Sequence, residues 1–234
     1  MDKELDLTET LRPGLDILAN EIVISLKKRS RFKRNLEIYT PGLVLGRPDL
    51  SLLEYELARM EHLHAELGRY TYANQEAFTN VSGVELIIKR SPPESPICNF
   101  PTSLGDEVMD FYIGWIRESC RAGTDSNTFG ETVTSDVAAL MNLIERINLG
   151  KYVAEYKFQN DPETFRKSGG DAEKILGLIK NQKREEAVLN LASQLAAHYE
   201  LDRNQAMNIF QWMIEETKKV EVEYIQRRLK LVST

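Results

Sequence analysis

Beyond Pro101 the chain has one further proline, Pro162, so about 130 residues run with almost nothing to interrupt a helical hydrogen-bond ladder. Glycine and proline are scarce throughout, 13 and 8 of 234 residues, which argues against a loop-rich, disordered or disulfide-stapled chain. Cys98 and Cys120 are too few for a disulfide framework. With 42% apolar residues the chain can bury a sizeable core. One all-α domain over residues 1–234, a multi-helix bundle, is expected. The formal charge of −6 disfavours nucleic acid or an acidic membrane surface as partner. No run approaches the length of a membrane span, and the acidic N-terminus lacks the apolar core of a secretion signal. A reduced, cytoplasmic protein is the expectation, with secretion the alternative if a leader precedes Met1.

Leu11, Leu15, Leu18, Ile22 and Leu26, at steps of three and four, predict a first helix over 8–34, with Pro13 tolerated in its first turn. Ser51 and Glu54 form a capping-box pattern that opens a helix reaching residue 70. Pro92, Pro93, Pro96 and Pro101 make 82–101 an irregular crossover between helices. Further helices are expected over 105–120, over 132–159 with a stop at Asp161-Pro162, over 171–199 with a break near Asn181, and over 202–230 with Asp202 and Gln205 as its cap. Nothing reads as a strand hairpin or a repeat.

Residues on the three-four seam of a packed helix face the interior. The first helix offers Arg12, Leu15, Ala19, Ile22, Leu26 and Arg29 on such a seam, and the helix over 132–159 offers Ala139, Leu143, Arg146, Gly150, Val153 and Lys157. Two later seams carry Asn181 with Glu185, and Thr217 with Glu221, each pair an i,i+4 neighbour on one face. Arg146 and Lys157 are 11 residues apart, about 16 Å along one face. A buried charge without a partner is expensive. Each pair alone is consistent with solvated or snorkelling side chains; together they describe a polar cavity. Three cations and two acids suit a small dianion whose carboxylates need Arg or Lys partners.

The stretches Phe129-Gly130-Glu131-Thr132-Val133-Thr134-Ser135-Asp136 and Glu145 through Gln159, with Gly150-Lys151-Tyr152-Val153-Ala154-Glu155 at its centre, closely resemble the eukaryotic-type, all-helical chorismate mutases. Thr217 through Leu229, containing Val220-Glu221-Val222-Glu223-Tyr224, resembles the C-terminal signature of the same family. Leu11-Arg12 with Lys28-Arg29-Ser30-Arg31-Phe32 is similar to its first helix, and His64 through Phe78 to its second. The resemblance implies rearrangement of chorismate to prephenate, on the route to phenylalanine and tyrosine, by a homodimer with no cofactor and no metal. The substrate positions it carries over are Arg12, Arg146, Lys157, Asn181, Glu185, Thr217 and Glu221, the residues of the polar seams. By the resemblance, Arg12 and Arg146 clamp the carboxylates with help from Thr217, and Asn181 and Glu185 hold the ring hydroxyl. Lys157 and a protonated Glu221 then donate to the ether oxygen, so activity should fall from acidic to alkaline pH.

The family's regulated members bind tyrosine or tryptophan with an Arg pair and a Gly-Ser…Thr segment. This chain has Gly68-Arg69, Gly130-Glu131 and Thr134 there, one cation fewer and one anion more, which implies a weakened effector response. Glu145, Asn148 and Leu149 also depart from the usual Arg, His and aromatic residues beside Arg146. Two rival functions remain: a catalytically silent, partner-binding protein on the same fold, and a mutase acting on an aminated chorismate. Lys27, Lys28, Arg29, Arg31, Lys33 and Arg34 read as a solvated basic face at a helix C-terminus. His62 and His64 cannot share a helix face and give no metal site with the distant His198. Trp115 and Trp212 read as core or interface anchors, and the two cysteines as packing residues.

Overall fold

A computed structural model of the protein describes residues 11–91 and 94–232. The expected start of the first helix at residues 8–10, and Pro92 with Pro93, lie outside them. Among the described residues the regular structure is helical: α1 Arg12–Ser30, α2 Leu52–Glu66, α3 Gly105–Ser119, α4 Phe129–Asn148, α5 Gly150–Asn160, α6 Pro162–Lys167, α7 Ala172–Ile179, α8 Gln182–His198 and α9 Arg203–Val232. No strand forms there; a lone bridge joins Lys33 to Arg121. Among the described residues no helix is long and apolar enough to cross a membrane.

Local chemistry sets most boundaries. The capping box at Ser51 closes in both directions, with Glu54 N–H donating to Ser51 Oγ at 3.2 Å and Ser51 N–H to Glu54 Oε2 at 2.7 Å. α2 stops at Glu66, not residue 70, and 67–78 is not helical. Gly68 at φ +86° and Tyr70 at φ +64° take left-handed conformations that end a helix. The expected helix over 132–159 is two elements, α4 and α5, divided at Leu149. Pro162 does not merely end α5. It opens α6 as its first residue, with Asp161 as the N-cap accepting from Thr164 N–H. Lys180 turns extended and separates α7 from α8, which makes Asn181 an N-cap whose Oδ1 accepts from Arg184 N–H at 3.1 Å.

Two apolar cores result. The larger gathers Ile22, Leu26, Leu53, Val108, Tyr112, Leu140, Leu143 and Phe210 around α4. The smaller gathers Ala154, Phe158, Phe165, Ile175, Ile179, Tyr224 and Ile225 around α5 to α7. α9 runs through both, and its middle, from Thr217 to Glu221, lies where they meet. The long segment 67–104 is held by polar ties. Lys151 donates to Glu76 and to Ala73 O, Glu61 accepts from the backbone of Phe78 and Thr79, and Tyr224 Oη accepts from Cys98 N–H.

The basic cluster is not simply a solvated face. Arg29 is fully buried, and its guanidinium donates to Asp136 Oδ1 at 2.6 Å, Lys33 O at 2.9 Å, Arg34 O at 2.8 Å and Tyr39 Oη at 3.1 Å. Although burial opposes its charge, Asp136 beside it holds the guanidinium protonated. Lys27, Lys33 and Arg34 donate to the carbonyls of Glu200, Thr124 and Cys120, tying neighbouring loops to the end of α1. Trp115 is buried with its indole N–H on Gln205 O, and Trp212 stacks on Phe111 at 4.1 Å.

Candidate active site

Where the two cores meet, α1, α4, α5, the end of α7, α8 and α9 line a cavity of about 140 Å³. That is comparable with a cavity of roughly 150 Å³ that holds one benzene ring. Its apolar wall is Leu15, Val153, Ile179, Val188, Phe210, Met213 and Ile214. All seven positions predicted from the seams line it: Arg12, Arg146, Lys157, Asn181, Glu185, Thr217 and Glu221. Two more cations join them, Arg184 and Lys218. No lining residue comes from the segment 67–104.

Arg146 decides the character of this cavity. It is buried, and its Nε has no hydrogen-bond partner. Desolvation, reinforced by the nearby charge of Arg184, pushes its pKa down to about 10, which Asp16 only partly offsets. A guanidinium is the last group expected to be desolvated unpaired. The cavity thus presents a desolvated guanidinium whose chemistry suits an anion.

Across the cavity, Lys157 Nζ donates to Glu221 Oε2 at 2.6 Å and to Ile179 O at 2.8 Å. Burial pushes the Glu221 carboxyl above the usual carboxylate range; Lys157 pulls it back and Glu185 adds to the push. Glu185 accepts from Lys218 Nζ at 2.9 Å, and Lys218 also reaches Glu215 at 3.0 Å. Gly150 lets α5 and α9 approach closely. A Cβ there would stand 2.9 Å from Thr217 Cγ2 and 3.3 Å from Thr217 O. The Thr217 hydroxyl donates to Met213 O at 2.7 Å within its own helix. That leaves it as the residue against which Gly150 packs, with no hydroxyl proton for a carboxylate while that bond holds.

Arg184 and Lys218 were not singled out from the sequence. Arg184 follows Asn181 by three residues and Lys218 precedes Glu221 by three, so each shares a helix face with a seam residue. That spacing was the available signal, but both read as members of exposed charge runs.

The expected effector positions do not assemble within one chain. Gly130 and Thr134 stand exposed at the start of α4. Arg69 instead pairs with Glu145 at 2.8 Å, 11 residues beyond Thr134 and about 16 Å along the helix. Gly68 has φ +86°, a conformation glycine takes without strain; the Arg90 guanidinium that a Cβ would meet is the far end of a flexible side chain and can move aside.

A second, open groove of about 840 Å³ between α2 and α3 is larger. Its charged residues Arg47, Glu54, Arg59, Asp106 and Asp110 and its His62 are all exposed, so it holds no comparable buried charge.

A family model described as chorismate mutase type II matches residues 130–222, which supply every predicted cavity position except Arg12. The chain is 29% identical to the chorismate mutase of Schizosaccharomyces pombe, over 94% of this chain and 96% of that one. It is also 29% identical to that of Saccharomyces cerevisiae, over 94% of each. The crystal structure of a Candida albicans chorismate mutase in complex with L-Trp superimposes with a TM-score of 0.84 at 26% identity, covering 95% of this chain and 92% of that one. The helical fold, the match along nearly the whole chain and the cationic cavity agree: this chain is similar over almost its full length to the all-helical chorismate mutases, and its residues 130–222 match the type II family model.

Proposed function

We propose that the protein is a chorismate mutase, an isomerase that rearranges chorismate to prephenate, acting as one domain over its whole length. The observation that carries this reading is Arg146, buried and unpartnered in a one-ring cavity that brings all seven expected positions together. The reaction is unimolecular: the ether C–O bond breaks as a C–C bond forms. The enzyme must supply conformational restraint and electrostatic stabilisation. Arg146 and Arg12 hold the two carboxylates and select the folded conformer in which the bond-forming carbons meet. Glu185 and the Asn181 amide hold the ring hydroxyl. Lys157 and protonated Glu221 donate to the ether oxygen, where negative charge grows as the C–O bond breaks. Arg146 and Glu221 are buried, where electrostatic stabilisation is strongest, while Lys157 and Glu185 are partly exposed and Asn181 stands at the open edge.

A homodimer and a cytoplasmic location accompany this reading by resemblance. The effector response is weak or absent. Glu145 occupies the Arg69 guanidinium, Glu131 adds an anion, and Gly130 and Thr134 meet such a cation only across two copies of the chain. The test is loss of chorismate, followed by its ultraviolet absorbance, for the wild type and Lys157→Ala. Tyrosine and tryptophan are added in parallel lanes. Rapid loss abolished by Lys157→Ala supports the mutase and the cavity together. No loss above the uncatalysed rate from folded protein overturns it in favour of a silent, partner-binding protein.

A further inference from the structure

Two cations of the cavity, Arg184 and Lys218, fall outside the seven positions that the resemblance supplies. Lys218 lies between two carboxylates, Glu185 and Glu215. Arg184 is differently placed. Its Nη2 reaches Asp16 Oδ1 at 3.0 Å, and both side chains stay open to water, 34% and 47% exposed. An ion pair in that setting adds little to stability and is readily exchanged for another carboxylate. Asp16 stands one turn after Arg12 on α1, while Arg184 stands in the first turn of α8, one residue before Glu185. The pair therefore bridges the edge of the cavity between the helices that carry Arg12 and Glu185.

Arg184 is also electrostatically joined to the buried guanidinium. After desolvation, its charge is the next cause of the lowered Arg146 pKa, and Asp16 acts in the opposite sense. The two guanidinia repel, with a half-exposed aspartate as the partial remedy. A carboxylate entering between them gives Arg146 its missing partner and gives Arg184 an acceptor in a drier place, where a charge-assisted hydrogen bond is stronger.

On the reading that this cavity binds chorismate, we infer that Arg184 is a third guanidinium for the substrate carboxylates, and that Asp16 is an internal competitor that holds it until the substrate arrives. The two halves of one ion pair then have opposite effects on binding. Removing Arg184 removes a ligand to the substrate. Removing the charge of Asp16 frees Arg184 to act.

Steady-state kinetics on chorismate with Arg184→Gln, Arg184→Lys and Asp16→Asn, alongside calorimetric titration with prephenate, reads this out. Arg184→Gln should raise KM about tenfold, with kcat within about twofold, and Arg184→Lys should recover part of that loss. Asp16→Asn should lower KM by about threefold, and prephenate should bind in the same order. A pair that only fastens α1 to α8 moves both substitutions in the same direction, and that result would overturn the inference, as would an unchanged KM in both. Thermal melts confirm that each variant is folded. If the wild type neither turns over chorismate nor binds prephenate, the mutase reading fails first and this inference with it. An active wild type with same-sign variants rejects this inference alone.

Discussion

Two arginines lie inside this bundle, and they are opposites. Arg29, at the end of α1, has a carboxylate, two backbone carbonyls and a tyrosine hydroxyl around its guanidinium. Asp136 in turn accepts from Tyr39 and Tyr112 as well as Arg29. Arg146, near the end of α4, is buried to a similar degree and leaves Nε without a partner. Burial of charge is therefore not in itself a sign of function. Where the hydrogen bonds close, as at Arg29, the charge holds α1, α3, α4 and the turn at Tyr39 in register. Where they do not close, the fold has left room for a group it does not contain.

The sharpest way to break this comparison is to replace both arginines with a residue that keeps the stem and removes the charge. Arg146→Met should lower kcat/KM for chorismate by about a thousandfold, while leaving the melting temperature unchanged or raising it, because an unpaired buried charge is removed. Arg29→Met leaves Asp136 buried beside two hydroxyls and should cost about 3–5 kcal/mol of stability, with kcat per folded molecule little changed. Thermal melts and turnover on the same two variants check both halves. A loss of stability in Arg146→Met equal to that in Arg29→Met would erase the distinction.

The sequence distinguished these arginines only in part. Arg146, Lys157, Glu185 and Glu221 were legible because each interrupts an apolar three-four seam. Arg29 interrupts one too, yet its neighbours Lys27, Lys28 and Arg31 made the whole cluster look solvated. Its partners Asp136 and Tyr39 are 107 and 10 residues away, and no local pattern links them. Arg184 and Lys218 were missed for the same reason, hidden in the runs Lys183-Arg184-Glu185 and Lys218-Lys219. Helix starts with side-chain caps, such as Ser51 and Asp202, were read correctly. The end of α2 was not, although Gly68, left-handed just past the Leu67 C-cap, closes it with N–H bonds from Gly68 to Ala65 O and from Arg69 to His64 O. Nor was α6, because Pro162 can end one helix and begin the next.

A second test moves from the charges to the backbone that spaces them. Gly150→Ala places a Cβ 2.9 Å from Thr217 Cγ2, whose rotamer is fixed by the hydrogen bond to Met213 O. Overpacking of this kind costs about 1–3 kcal/mol, set against about 1 kcal/mol gained in helix propensity. Thr217 O on the same side is backbone, so α5 and α9 must part by a few tenths of an ångström. That separation sets the distance between Lys157 and Glu221. Activity should fall about tenfold with a small change in melting temperature, measured as kcat/KM beside the melt. A fall in melting temperature with full activity would show that the close approach serves packing alone.

The smallest expected effect lies in the dependence on pH, and it isolates Glu221. The unfolded carboxyl has a pKa of 4.5; in the fold, burial raises it, with Lys157 opposing and Glu185 reinforcing the rise. The folded state therefore holds the proton more tightly than the unfolded chain does. Stability from this group is complete below the unfolded value and is lost as pH rises through the folded one. Activity follows the same direction, since only the protonated carboxyl can donate to the ether oxygen. Wild-type kcat/KM should thus decline between about pH 5 and pH 8.5, while Glu221→Gln, which donates at every pH, should vary by no more than about twofold over that range. A decline that survives the substitution would show that Glu221 is not the group whose proton the activity follows.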